Sequence, residues 1–145
     1  MNTKIRDMRQ EDAECVISMM RGFYASPAVH TNGSEEIFKS DVENCLSDNP
    51  YLEGYIIEES GEVIGYAMVA KSFSTEFGKR CIWIEDIFLK ERWRGMGIGK
   101  EFFDFITEKY EDSIFRLEVE AENERAVKLY TKCGFSPLPY VEMKK

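Results

Sequence analysis

The chain has 145 residues, 43% hydrophobic and 13% aromatic, with 27 acidic side chains against 19 basic ones and a net charge of −8. That length suits one domain, 1–145, with its own core, and the apolar content excludes a disordered segment. The acidic balance excludes general nucleic-acid binding, which needs a basic face. No apolar run reaches the ~18 residues of a membrane span. The charged start Lys4-Ile5-Arg6-Asp7 lacks the apolar stretch of a signal peptide. A cytoplasmic protein with no membrane partner is therefore expected.

In chain order, Thr3 to Met8 reads as a short strand. Ala13, Val16, Ile17, Met20 and Phe23/Tyr24 then recur at the spacing of an amphipathic helix over 11–24. A break at Ala25-Ser26-Pro27 leads into a loop, and Ser34 is placed to cap a second helix running to about Ser47, with Glu35 and Glu36 in its first turn. Tyr51 to Glu59 and Glu62 to Ser72 flank Ser60-Gly61, a hairpin signal. A third strand spans about Arg80 to Leu89. Residues 97–110 return to helix, with Ile98, Phe102, Phe103, Ile106 and Tyr110 facing inward. Ile114 to Val119 reads as a strand, Glu124 to Lys132 as a helix, and Phe135 to Met143 as a closing strand pair interrupted by Pro137 and Pro139. The order β-α-α-β-β-β-α-β-α-β predicts an α/β fold with a central sheet and helices on both faces.

Cys15, Cys45, Cys81 and Cys133 are scattered without a CxxC pair, and His30 is the one histidine. This pattern supplies no zinc cluster or disulfide framework, so free thiols and no metal are expected. Asn32-Gly33-Ser34 matches a glycosylation sequon but reads here as a turn.

The chemistry concentrates between Ile84 and Lys100. A strand runs into a turn carrying Gly95, Gly97 and Gly99 at alternate positions and then opens a helix, with four basic and two acidic side chains from Lys90 to Glu101. Without Cβ atoms the backbone can approach a ligand, and the free N–H groups of a helix start favour an anion, pyrophosphate above all. A Walker loop fails, because Glu101 follows Gly99-Lys100 and Arg94 stands where its first glycine belongs. A dinucleotide fingerprint fails as well, because the spacing is GxGxG and the loop follows a hairpin.

The run Arg94-Gly95-Met96-Gly97-Ile98-Gly99 resembles the acetyl-CoA signature of the GCN5-related N-acetyltransferase (GNAT) superfamily. The stretch Asn123-Glu124-Arg125-Ala126-Val127-Lys128-Leu129-Tyr130-Thr131-Lys132-Cys133-Gly134-Phe135 is similar to its second signature, N-x-x-A-x-x-x-Y-x-x-x-G-F. Ile84-Glu85-Asp86 before the loop looks most like the polyamine acetyltransferase branch. The resemblance covers nearly the whole chain and implies a mixed, mostly antiparallel sheet and direct acetyl transfer from acetyl-CoA to an amine. It places the pantetheine arm along Ile87, Phe88 and Leu89, and the diphosphate at Arg94, Gly95, Met96, Gly97, Ile98, Gly99 and Lys100. A backbone N–H near Ile87 or Phe88 would stabilise the oxyanion.

The same resemblance puts Tyr130 near the CoA sulfur as the acid for the departing thiolate. It implies Glu85 as the base acting through a water, since the acceptor amine must lose a proton before it attacks. From the residues alone, Tyr130 could instead be a core tyrosine, Asn123 a helix cap as well as a CoA contact, and Glu85 an anchor for a cationic amine or the partner of an arginine. Strand alternation sets Glu85 and Asp86 on opposite faces, with Asp86 in a structural hydrogen bond. Acceptor choice is expected in the 24–34 loop and in Glu118 and Glu120, with His30 either a substrate contact or an exposed turn residue. The acceptor is expected to be a small, cationic amine. Protein amines, aminoglycosides and a non-catalytic CoA sensor are the alternatives, and a homodimer is compatible with an exposed apolar face.

Overall fold

A computed structural model describes residues 1–29 and 33–145. His30 and Asn32, and with them the readings of a substrate histidine and a sequon turn, lie outside the described residues. The elements are β1 (Thr3–Asp7), α1 (Ala13–Tyr24), α2 (Glu35–Leu46), β2 (Leu52–Glu59), β3 (Glu62–Ser74), β4 (Lys79–Leu89), α3 (Ile98–Lys109), β5 (Ile114–Leu117) and α4 (Glu124–Lys132). Short 3-10 turns at Gln10–Asp12 and Glu91–Trp93 lead into α1 and the glycine loop.

Five strands form one sheet in the order β1-β2-β3-β4-β5. The first three pairings are antiparallel and only β4 with β5 is parallel, so the sheet is mixed and mostly antiparallel as expected. Ser60 and Gly61 take φ of 50° and 84° between the paired Glu59 and Glu62, the left-handed geometry that a two-residue hairpin turn needs.

Strand alternation divides the apolar residues between two faces. Tyr55, Ile57, Ala67, Val69, Ile82 and Ile84 pack with Ile98, Phe102, Phe103 and Ile106 of α3, while Leu129 and Tyr130 of α4 close over the edge of that cluster. Ile56, Tyr66 and Met68 pack on the opposite face with Val16 and Met20 of α1 and Phe38 and Val42 of α2. Helices therefore cover both faces. The Ser34 hydroxyl accepts from the N–H of Ile37 at 3.2 Å and caps α2, an arrangement typically worth about 1 kcal/mol.

The closing strand pair does not form: among the described residues, 135–145 hold no strand. Pro137 and Pro139 remove two backbone donors and restrict the residues before them, which disfavours a ladder. The segment instead returns towards the β3–β4 hairpin, where the Tyr140 hydroxyl donates to Glu76 at 2.6 Å.

Candidate active site

The site begins with a fault in the β3–β4 ladder. Val69 pairs with Ile84 and Met68 with Asp86, which leaves Glu85 as an extra residue, a β-bulge. Simple alternation therefore does not run through Glu85. Ile84 and Ile87 both join the α3 cluster, while Asp86 turns to the α1 side and accepts from Tyr24 at 3.0 Å and Tyr66 at 2.7 Å. The expected structural hydrogen bond of Asp86 is present, twice over.

A second feature is the short reach of β5. It pairs with β4 only from Cys81–Ile114 to Ile84–Leu117. Beyond Ile84 the strand carrying Glu85, Ile87, Phe88 and Leu89 has β3 on one side and, among the described residues, no ladder partner on the other. Backbone groups in a strand alternate between its two edges, so this stretch presents unpaired donors and acceptors to the seam.

A narrow hollow of about 50 Å³ opens in that seam. Phe23, Ala28, Ile84, Glu85, Ile87, Leu117, Glu118, Val119, Asn123 and Tyr130 line it. The fold thus brings Glu85, Ile87, Asn123 and Tyr130 together from β4 and α4. Asn123 caps α4 by accepting from the N–H of Ala126 at 3.2 Å. Tyr130 follows two helical turns later on the same side. Its ring packs edge-on to Phe103 and Phe135, and its hydroxyl bonds to no protein group among the described residues. Burial and the nearby Cys133 raise its pKa, which keeps the phenol protonated.

A wider hollow of about 530 Å³ adjoins the narrow one through Glu85 and Glu118, which line both. Trp83, Glu142, Met143 and Lys144 complete its lining, so the carboxy-terminal segment forms one wall. Three carboxylates meet here. Glu118 is pushed up to about 7, first by its hydrogen bond with Glu142, then by burial and by the charges of Glu142 and Glu85. The Glu85 carboxyl opens to solvent yet is also held above its ordinary value, first by desolvation in the cleft and then by Asp86, Asp41 and Glu142. Among the described residues it has no hydrogen-bonded arginine. Glu120 lines neither hollow.

Beyond the end of β4 the glycine turn is built on left-handed backbone. Gly95 and Gly97 have φ of 77° and 84°. The N–H groups from Gly95 to Lys100 have no backbone or capping partner among the described residues. These free amides, at the positive end of α3, fit the diphosphate of CoA. Ile98 is fully buried and offers only its backbone, whereas Met96 is exposed.

The basic side chains are largely engaged elsewhere. Arg94 turns back and donates from Nε to the Leu89 carbonyl at 2.8 Å, Lys100 pairs with Asp104 at 2.7 Å, and Arg92 with Glu62 at 3.3 Å. Arg125 of α4 was not singled out from the sequence, although it lies within the second motif. Its guanidinium stands against Gly95, where an added Cβ would come within 3.1 Å of it. Phe23 and Leu117 were likewise missed, because only the seam makes them neighbours.

Comparison with known proteins gives a consistent result. Residues 13–135 match the model of the Acetyltransferase (GNAT) family. A thialysine N-epsilon-acetyltransferase from Sus scrofa is 30% identical over 151 residues, covering 95% of this chain and 86% of that protein. A possible acetyltransferase from Clostridium difficile superposes with a TM-score of 0.83 at 19% identity, covering 100% of this chain and 97% of that one. A predicted acetyltransferase from Clostridium acetobutylicum, solved with acetyl-CoA, gives 0.78 at 19% identity, covering 98% and 96%. The chain belongs to the GNAT family and is an N-acetyltransferase that takes its acetyl group from acetyl-CoA.

Proposed function

We propose that the enzyme acetylates the primary amine of a small cationic acceptor by direct transfer, with Glu85 as base and Tyr130 as acid. The observation that carries this reading is the junction of the two hollows: Glu85 and Glu118 border both the wide acidic hollow and the narrow one that holds Tyr130. Acetyl-CoA supplies the acetyl group as a thioester. The seam along Ile87, Phe88 and Leu89 would hold its pantetheine arm, and the amides from Gly95 to Lys100 its diphosphate.

The protein's part is to place charge and move protons. An ammonium group attracted by Glu118 and Glu142 would lie beside Glu85. The raised affinity of Glu85 for protons suits a base that must take one from an amine of ordinary pKa about 10.4. Tyr130, protonated and without a partner for its hydroxyl among the described residues, has a proton to give to the sulfur. The side-chain amine of a lysine-like amino acid matches this pattern, in keeping with the thialysine named for the Sus scrofa relative. The test is CoA-thiol release with acetyl-CoA and a panel of thialysine, lysine, diamines, aminoglycosides and peptides. Release with a small cationic amine is expected. Tight acetyl-CoA binding without release from any amine would favour a CoA sensor.

A further inference from the structure

Asp86 is a buried acid that the transfer chemistry leaves unused. It is 4% exposed, and both of its hydrogen-bonded partners, Tyr24 and Tyr66, are neutral phenols. A carboxylate buried without a cation is costly. A tether between α1 and β3 could be made from uncharged groups at a smaller penalty, so the charge itself calls for a role.

Its location supplies one. Asp86 follows the bulged Glu85, and the bulge is what directs Asp86 to the α1 face while Ile84 and Ile87 keep to the other. Tyr24 ends α1 one residue after Phe23, which walls the narrow hollow, and Tyr66 is fully buried in β3. The Tyr24–Asp86 bond therefore joins that wall to the strand bearing Glu85.

The groups acting on Glu85 are Asp86 on its own strand, Asp41 of α2, Glu142 of the carboxy-terminal segment, Glu118 beyond β5 and Tyr24 of α1. Around Asp86 stand Tyr24, Tyr66, Asp41 and the Cys45 thiol. All are acids or neutral groups, and Asp86 acts on Glu85 most strongly of the charges.

We propose that Asp86 is a positioning residue of the transfer reaction: the two phenols hold its charge beside the bulged Glu85, and through Tyr24 it fixes the Phe23 wall of the narrow hollow, where the acceptor amine must meet the thioester. The proposal rests on the reading of Glu85 as the base.

The test compares Asp86→Asn, Tyr24→Phe and Glu85→Gln, with calorimetric acetyl-CoA binding as the check on folding. In Asp86→Asn the acid limb of kcat/KM is expected to move down by about one pH unit, the usual effect of removing a close like charge. The Glu85 carboxyl, followed by ¹³C NMR and assigned from the Glu85→Gln spectrum, is expected to titrate lower to match. In Tyr24→Phe the acceptor KM is expected to rise roughly ten-fold, with a smaller change in kcat. An unmoved Glu85 midpoint in Asp86→Asn protein that binds acetyl-CoA overturns the electrostatic role. An unchanged acceptor KM in Tyr24→Phe overturns the positioning role, even if Asp86→Asn does not fold. Full turnover by Glu85→Gln would strike the base assignment instead. The NMR midpoint separates these failures, because it does not depend on turnover.

Discussion

The ring of Tyr130 stands edge-on to that of Phe103, with centroids 5.7 Å apart and planes at 89°. Packing of this kind locks the ring through its carbon skeleton, on the wall of the narrow hollow that Tyr130 lines. Tyr130→Phe therefore keeps the packing and removes only the proton donor. We expect kcat to fall at least ten-fold, within the roughly 10²–10⁴ range of a general acid. Stability should stay within about 0.5 kcal/mol by urea unfolding. Unchanged turnover would remove Tyr130 from the chemistry.

Glu118 and Glu142 face one another across the wide hollow, and Glu142 is the first cause of the raised Glu118 pKa. Glu118, raised to about 7, gains its charge as pH rises through that value. Attraction for an ammonium acceptor should therefore strengthen, and its KM fall, from pH 6 to pH 8. Folding stability should run the other way, because a carboxyl whose folded pKa is raised loses stability as pH rises through that value. Glu142→Gln should flatten both trends and raise the acceptor KM at pH 8 up to about five-fold, the scale of one exposed ion pair. Steady-state kinetics across that range decide it.

Gly97 has φ of 84° and nothing within 4 Å of an added Cβ. Substitution there is penalised by the backbone, not by crowding. Gly97→Val is expected to cost about 1–2 kcal/mol of stability and to weaken acetyl-CoA binding by at least ten-fold, since the amides of the turn would no longer converge. Calorimetric titration of the variant checks this, and wild-type affinity would refute the diphosphate assignment.

Far from the site, Asp12 takes a two-point contact from Arg6 at 2.8 and 2.9 Å and a third from the Arg9 N–H at 2.8 Å. The Arg6 contact, foremost, lowers the Asp12 pKa. The resulting stability is present above the unfolded value of about 3.9 and is lost as pH falls through the lower folded value. Asp12→Ala is expected to cost about 3 kcal/mol at pH 7, the scale of a broken buried pair, and much less at pH 2. Equal losses at both pH values would contradict the ion-pair account.

Much of this was legible in the sequence because it is local. The spacing of Ile98, Phe102, Phe103 and Ile106 marks α3, Ser60-Gly61 marks the hairpin, and seven residues from Asn123 to Tyr130 put both on one side of α4. The bulge was not legible. Val69 against Ile84 and Met68 against Asp86 is a property of two strands, and Glu85 read alone looks like any alternating residue. Nor could the Tyr24–Asp86 bond be foreseen, for it joins residues 62 positions apart. Pro137 and Pro139 did signal trouble for a closing strand. What they could not reveal is that the same segment would deliver Glu142 to Glu118.

Among the described residues, four pairs fasten β5 to the rest of the sheet. Such a brief ladder frays readily when nothing lies alongside it, and α4 rides on the chain immediately beyond. A donor laid into the seam would serve as a splint, lending rungs that the polypeptide does not make for itself. Hydrogen exchange at the amides of β5 and α4 should then slow sharply on CoA binding, and release of spent CoA would require that temporary rung to be withdrawn.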